Sequence, residues 1–109
     1  MKLAVASDGD VVSLHFGRCE GYNFFEIEDG KIISKTYEKN PGNQPGFIPR
    51  WLKEKNVKCI IAGGAGPMAQ EFFKNLGIDF ILGVQGKVDE VVEKFLKGEL
   101  KSGENTCER

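Results

Sequence analysis

The single histidine of this 109-residue chain opens the run His15-Phe16-Gly17-Arg18-Cys19, which gathers an imidazole, a guanidinium and a thiol within five residues. Soft metals prefer thiolate and imidazole ligands, and the Arg18 charge could partner an anionic cluster while lowering the pKa of the Cys19 thiol. A second candidate is Gly63-Gly64-Ala65-Gly66-Pro67, a glycine-rich turn ahead of a helical pattern. There backbone amides can approach a ligand closely, and the helix start carries about half a positive charge. Cys59 stands in an apolar run, where packing is its expected role. His15, Cys19 and Cys107 remain as candidate metal ligands, short of the four that a structural zinc takes. An incomplete set suits a protein that carries a preassembled cluster and hands it on, or one that completes its site across a dimer.

Other chemistries are less well served. Gly64, Gly66 and Ala69 fit the dinucleotide pattern G-x-G-x-x-A, but Val84-Gln85-Gly86 stands where the ribose-binding acid should follow the next strand. No serine, histidine and acid fall into a nucleophile elbow, and Ser7-Asp8-Gly9-Asp10 reads as a turn. Asp8 and Asp10 as a nuclease-type metal pair would need further acids on neighbouring strands, where only Glu26 and Glu28 stand, alternating with Phe25 and Ile27 as on a solvated face. The chain is read as a non-enzyme. The competing reading is a redox or regulatory protein with a reversible Cys19–Cys107 disulfide.

The elements that must position these residues follow from periodicity. Leu3-Ala4-Val5-Ala6 predicts an interior first strand, and Val11 to Gly21 a loop. Tyr22 to Glu28 and Lys31 to Glu38 are strand-like runs joined by Asp29-Gly30, a strong hairpin signal because a type I′ turn needs positive φ at both central residues. Asn40 to Gly46 is a proline- and glycine-broken loop. Phe47, Ile48, Trp51 and Leu52 then fall at helical spacing, with Pro49 tolerable in the first turn. Lys58 to Ala62 predicts a short buried strand. Met68, Phe72 and Leu76 mark a helix opened by Pro67 and stopped by Gly77. Ile78 to Val84 predicts the last strand, and Val88, Val91, Val92, Phe95 and Leu96 a helix ended by Gly98.

Strands joined by helices require parallel neighbours, so the expected fold is α/β, with a mixed sheet of about five strands, an early antiparallel hairpin and about three helices. In such a sheet, ligands gather at the carboxyl ends of the parallel strands, which places the loops Ser7 to Gly21, Gly63 to Pro67 and Gly83 to Lys87 together. With 40% hydrophobic residues the chain can bury one modest core, so residues 1–98 form one domain and the polar stretch 99–109 an expected loose tail. Fifteen basic against 16 acidic residues leave no dominant field for a polyanion, which argues against nucleic acid. No apolar stretch has the length of a membrane span or a secretory leader, and sparse cysteines point to reduced thiols, so a cytoplasmic location is expected.

The order of these features resembles a known family. His15-Phe16-Gly17-Arg18, the strand Phe24-Phe25-Glu26-Ile27, the stretch from Asn40-Pro41-Gly42 to Leu52, and Gly63-Gly64-Ala65-Gly66-Pro67 before a helix ending at Leu76-Gly77-Ile78 are together similar to the dinitrogenase iron-molybdenum cofactor biosynthesis family, that of NifX, NafY and the C-terminal part of NifB. The resemblance runs from Met1 to about Gly98. It implies a ribonuclease H-like fold and binding of an iron-molybdenum or iron-sulfur cluster precursor, with cluster assembly or acceptor proteins as partners and a monomer or weak homodimer as the state. It also implicates His15 with the Phe16-Gly17-Arg18 segment and the turn Gly63, Gly64, Ala65 and Gly66. Members often carry a histidine in the Pro-Gly loop, where this chain has Asn43.

Overall fold

The computed structural model describes residues 1–42, 44 and 46–100. Nine elements follow in the order β1 (Lys2–Asp8), β2 (Val11–Val12), β3 (Gly21–Glu28), β4 (Lys31–Lys39), α1 (Phe47–Glu54), β5 (Val57–Ile61), α2 (Pro67–Leu76), β6 (Asp79–Ile81) and α3 (Val88–Leu96). They form one sheet in the order β4-β3-β1-β5-β6, with the short β2 paired to β1. β1 runs antiparallel to β3 and parallel to β5, and β5 runs parallel to β6. The mixed α/β architecture with three helices is the one the sequence implies.

β1 explains itself as the central strand. Its residues alternate between two cores: Ala4 and Ala6 face a cluster with Leu52 of α1 and Phe73 of α2, while Leu3 and Val5 face a cluster with Val88, Val91 and Val92 of α3. Strands covered on both faces read as continuous apolar runs, as this one does. Small alanines on the two-helix side leave room for the aromatic residues there. Phe16, Tyr22, Phe24, Trp51, Phe73 and Phe80 make a chain of edge and tilted ring contacts with centroids 4.9–5.8 Å apart.

The turn chemistry follows the sequence closely. Asp29 and Gly30 have φ of 52° and 75°, the two positive values of a type I′ hairpin, and Glu28 pairs with Lys31 across it. Pro67 occupies the first turn of α2, and Gly77 closes that helix in the left-handed region. Two differences stand out. The last strand is shorter than Ile78 to Val84, because Gly83 with φ of 75° bends the chain after Ile81. The loop after β1 also contains the extra strand β2, held by Ser7 and Asp8 opposite Val12 and Val11.

β4 is an edge strand, exposed on nearly its whole length, and its Lys31, Lys35 and Lys39 discourage edge pairing. Lys35 reaches Asp89 of α3, and Lys55 reaches Glu38. Both pairs lie near the surface and contribute little to stability.

Phe73 joins fold to loop, since it is fully buried and its ring meets that of Phe16 at 4.9 Å between centroids. Phe73→Ala is expected to cost about 3–5 kcal/mol, read from urea unfolding. A loss under about 1 kcal/mol would mean that this ring does not hold α2 to the loop.

Candidate functional site

Because β1, β5 and β6 run parallel, their carboxyl ends lie side by side and the loops that leave them meet. Backbone hydrogen bonds zip these loops together. Ser13 N–H donates to the Ala6 carbonyl, Gly63 N–H to Ser13, Phe16 N–H to Gly64 and Gly83 N–H to Gly63, each at 2.8 Å. At the far side, Val12 N–H donates to Gly86 and Val88 N–H to Asp10, each at 2.9 Å.

Side chains then fix the His15–Cys19 loop. Ser13 Oγ donates to the His15 carbonyl and accepts from the His15 N–H, both at 3.2 Å. The Tyr22 hydroxyl donates to the Phe16 carbonyl. The Asn40 amide donates to the Gly17 carbonyl at 3.1 Å and the Cys19 carbonyl at 2.9 Å. In a trans peptide the N–H points opposite to the C=O, so carbonyls held inward at Phe16 and Gly17 turn the N–H groups of Gly17 and Arg18 outward.

A cleft of about 320 Å³ opens beside this loop, within the usual size of a small-ligand site. One wall is His15, Phe16, Gly17 and Arg18. Opposite stand Gln44, Gly46, Ile48 and Pro49 at the start of α1, and Ala65, Gly66, Met68, Ala69 and Phe72 at the start of α2. Both helices begin on a glycine, Gly46 and Gly66, without a side-chain cap and without an acid in the first turn. The Phe47 N–H is taken by the Gln44 carbonyl at 3.0 Å, and Pro49 and Pro67 carry no N–H, so first-turn donors can come only from Ile48, Met68 and Ala69, while each helix dipole adds about half a positive charge. Among the described residues Arg18 is the one charged lining residue, and its Nη2 lies 3.5 Å from His15 Nδ1, a contact in which the guanidinium can only donate. The cleft thus combines positive potential with hydrogen-bond donors and suits an anion.

The residues singled out in the sequence separate into two groups. His15, Phe16, Gly17, Arg18, Ala65 and Gly66 meet on the cleft wall. Gly63 and Gly64 lie buried behind it, their amide and carbonyl groups committed to Ser13, Gly83 and Phe16. Cys19 is also turned inward: only 4% exposed, its Sγ sits 3.2 Å from the Gly21 carbonyl and 3.4 Å from that of Phe16. The expectation that Arg18 would lower the Cys19 pKa is corrected, because burial of the thiol raises it. Cys107 and Asn43 lie outside the described residues. Among the described residues no three of His, Cys, Asp and Glu are grouped to hold a metal ion. Sequence spacing does not single out Gly46, Met68, Phe72, Asn40 or Tyr22. Gly46 and Met68 adjoin proline-glycine punctuation at the two helix starts and Asn40 precedes Pro41-Gly42, whereas Phe72 and Tyr22 carry no such signal.

Burial also raises the pKa of Tyr22 and pushes Cys59 from 9.0 up to about 12. A raised acid pKa in the folded state means the neutral form is favoured, so these groups contribute stability that is complete below their unfolded values and is lost as pH rises through the folded ones. The urea midpoint is expected to fall from about pH 9 upward, with a shallower decline in Cys59→Ala than in the wild type. Equal declines in both proteins would refute the assignment to Cys59.

Known proteins share this chain's family pattern and fold. A family model described as dinitrogenase iron-molybdenum cofactor matches residues 1–98. MJ0580, an uncharacterized protein of Methanocaldococcus jannaschii, is 34% identical over 109 aligned residues, covering 95% of this chain and 92% of its own. The crystal structure of PH0822 superposes with a TM-score of 0.90 at 30% identity, covering 100% of both chains. The solution structure of a candidate NifB protein from Thermotoga, TM1290, gives a TM-score of 0.71 at 26% identity, covering 93% of this chain and 91% of that one.

Proposed function

From the chain's membership of the dinitrogenase iron-molybdenum cofactor family, we propose that it binds an anionic iron-molybdenum or iron-sulfur cluster precursor in this cleft and carries or stores it during cofactor assembly. The cluster is cargo, passed between assembly and acceptor proteins, and the chain performs no catalysis on it. The observation that carries the reading is the cleft itself, where His15, Arg18 and two helix starts without side-chain caps converge and the only charged lining residue among those described is a cation.

The donor set fits cargo better than a resident metal. One imidazole cannot complete a coordination sphere, and the Cys19 thiol faces the core. An anionic sulfide-bearing cluster needs less from the protein, because backbone N–H groups and Arg18 can hydrogen-bond its periphery while His15 either donates to it or ligates one exposed metal. Ligation through Nδ1 would require the Arg18 contact to open. A Cys19–Cys107 switch has less support, since Cys19 is enclosed by the Phe16 and Gly21 carbonyls and thiol exchange needs access.

Anaerobic titration with a synthetic thiolate-capped iron-sulfur cluster and, separately, with tetrathiomolybdate tests the reading through absorption and metal counting. Wild-type protein is expected to retain about one equivalent. His15→Ala and Arg18→Gln each lower affinity roughly tenfold or more, and raised salt weakens the wild-type complex. Cys19→Ala lowers stability and leaves uptake intact. Trace retention that is equal in wild type and His15→Ala would sink the proposal.

A further inference from the structure

One side chain ties the His15–Cys19 loop to the chain that leads into α1. Asn40 follows β4 and opens the Asn40–Gly46 segment, which brings Gln44 and Gly46 to the cleft. Its backbone N–H donates to the Glu20 carbonyl at 3.0 Å. Its side-chain amide donates to Gly17 and Cys19, and its Oδ1 accepts the Gly42 N–H at 2.9 Å. Three bonds thus enter the His15-bearing loop and one enters the Pro-Gly turn. Pro41 restricts Asn40 to an extended backbone, which fixes the direction in which the chain leaves that junction.

The chemistry of the position is specific to an amide. Two carbonyls need two N–H donors, and the Gly42 N–H needs an acceptor, a combination that the carboxamide supplies and a carboxylate does not. An aspartate would place an acceptor against the Gly17 and Cys19 carbonyls. Gly17 is also the peptide whose carbonyl direction turns the Arg18 N–H outward, so Asn40 acts on the cleft wall without lining it.

We infer that Asn40 is the positioning residue of this cleft, its amide setting the spacing between the His15–Arg18 wall and the lining residues Gln44 and Gly46, and thereby the affinity for the cargo. The inference rests on the cargo reading of the site. Partners that orient binding groups from behind are commonly worth 10- to 100-fold in affinity, roughly the range expected here.

Asn40→Ala and Asn40→Asp test it in the full chain, with anaerobic tetrathiomolybdate as the probe. Both variants are expected to bind at least tenfold more weakly, Asn40→Asp the more so, while urea unfolding remains cooperative. Because His15 is the single histidine, its ring gives one set of imidazole NMR signals, and these should shift or broaden in both variants without ligand. A global loss of stability alone would not move that signature in the folded protein. Wild-type uptake matched by both variants, with unchanged ring signals, would overturn this inference and leave the cargo reading standing. No uptake by the wild type would overturn both.

Discussion

Two backbone hydrogen bonds of 2.8 Å, from Phe16 N–H to the Gly64 carbonyl and from Gly63 N–H to the Ser13 carbonyl, fasten the loop after β1 to the turn after β5. Parallel pairing of β1 with β5 brings the two loops close, but these bonds convert closeness into a fixed relation. Once they form, His15 and Arg18 stand opposite the start of α2, and Phe16 can place its ring against Phe73. The aromatic core and the cleft are therefore two sides of one junction.

That junction separates the roles of neighbouring residues in a five-residue loop. Phe16 and Cys19 point into the core, while His15 and Arg18 belong to the cleft. Ser13, Tyr22 and Asn40 satisfy the carbonyls of His15, Phe16, Gly17 and Cys19, and among the described residues no buried side-chain nitrogen or oxygen lacks a partner. Satisfying carbonyls from inside has an electrostatic result as well. It removes acceptors from the cleft and leaves donors there, which adds to the field of the two helix starts. Burial governs the thiol in the opposite sense, keeping Cys19 protonated although Arg18 is its sequence neighbour.

Much of this was legible in the sequence because local chemistry and global fold agree. Asp29-Gly30, Pro67 and Gly77 each specify one backbone conformation, and each adopts it. The apolar runs at Leu3 to Ala6 and at Val88 to Leu96 have the periods of a two-sided strand and an amphipathic helix. The site was legible only to the level of which loops converge. Residue types could not say that Cys19 faces inward, since thiols serve equally as ligands and as small core residues. Nor could they find Gly46, Met68 and Phe72, which join the cleft through the packing of α1 beside α2 rather than through any motif. Asn40 was hidden for a related reason: its side-chain N–H bonds run to Gly17 and Cys19, 23 and 21 positions away.

On the proposed carrier reading, the sparseness of the donor set has a thermodynamic consequence. A closed metal site binds with roughly 10–16 kcal/mol, which would hold a cluster too firmly to be passed on. The cleft offers instead the Arg18 cation and two helix starts, whose attraction is electrostatic. An acceptor protein with its own thiolate and imidazole ligands would outcompete it by forming metal bonds. In that role, a cleft behind which the thiol is buried favours transfer over retention.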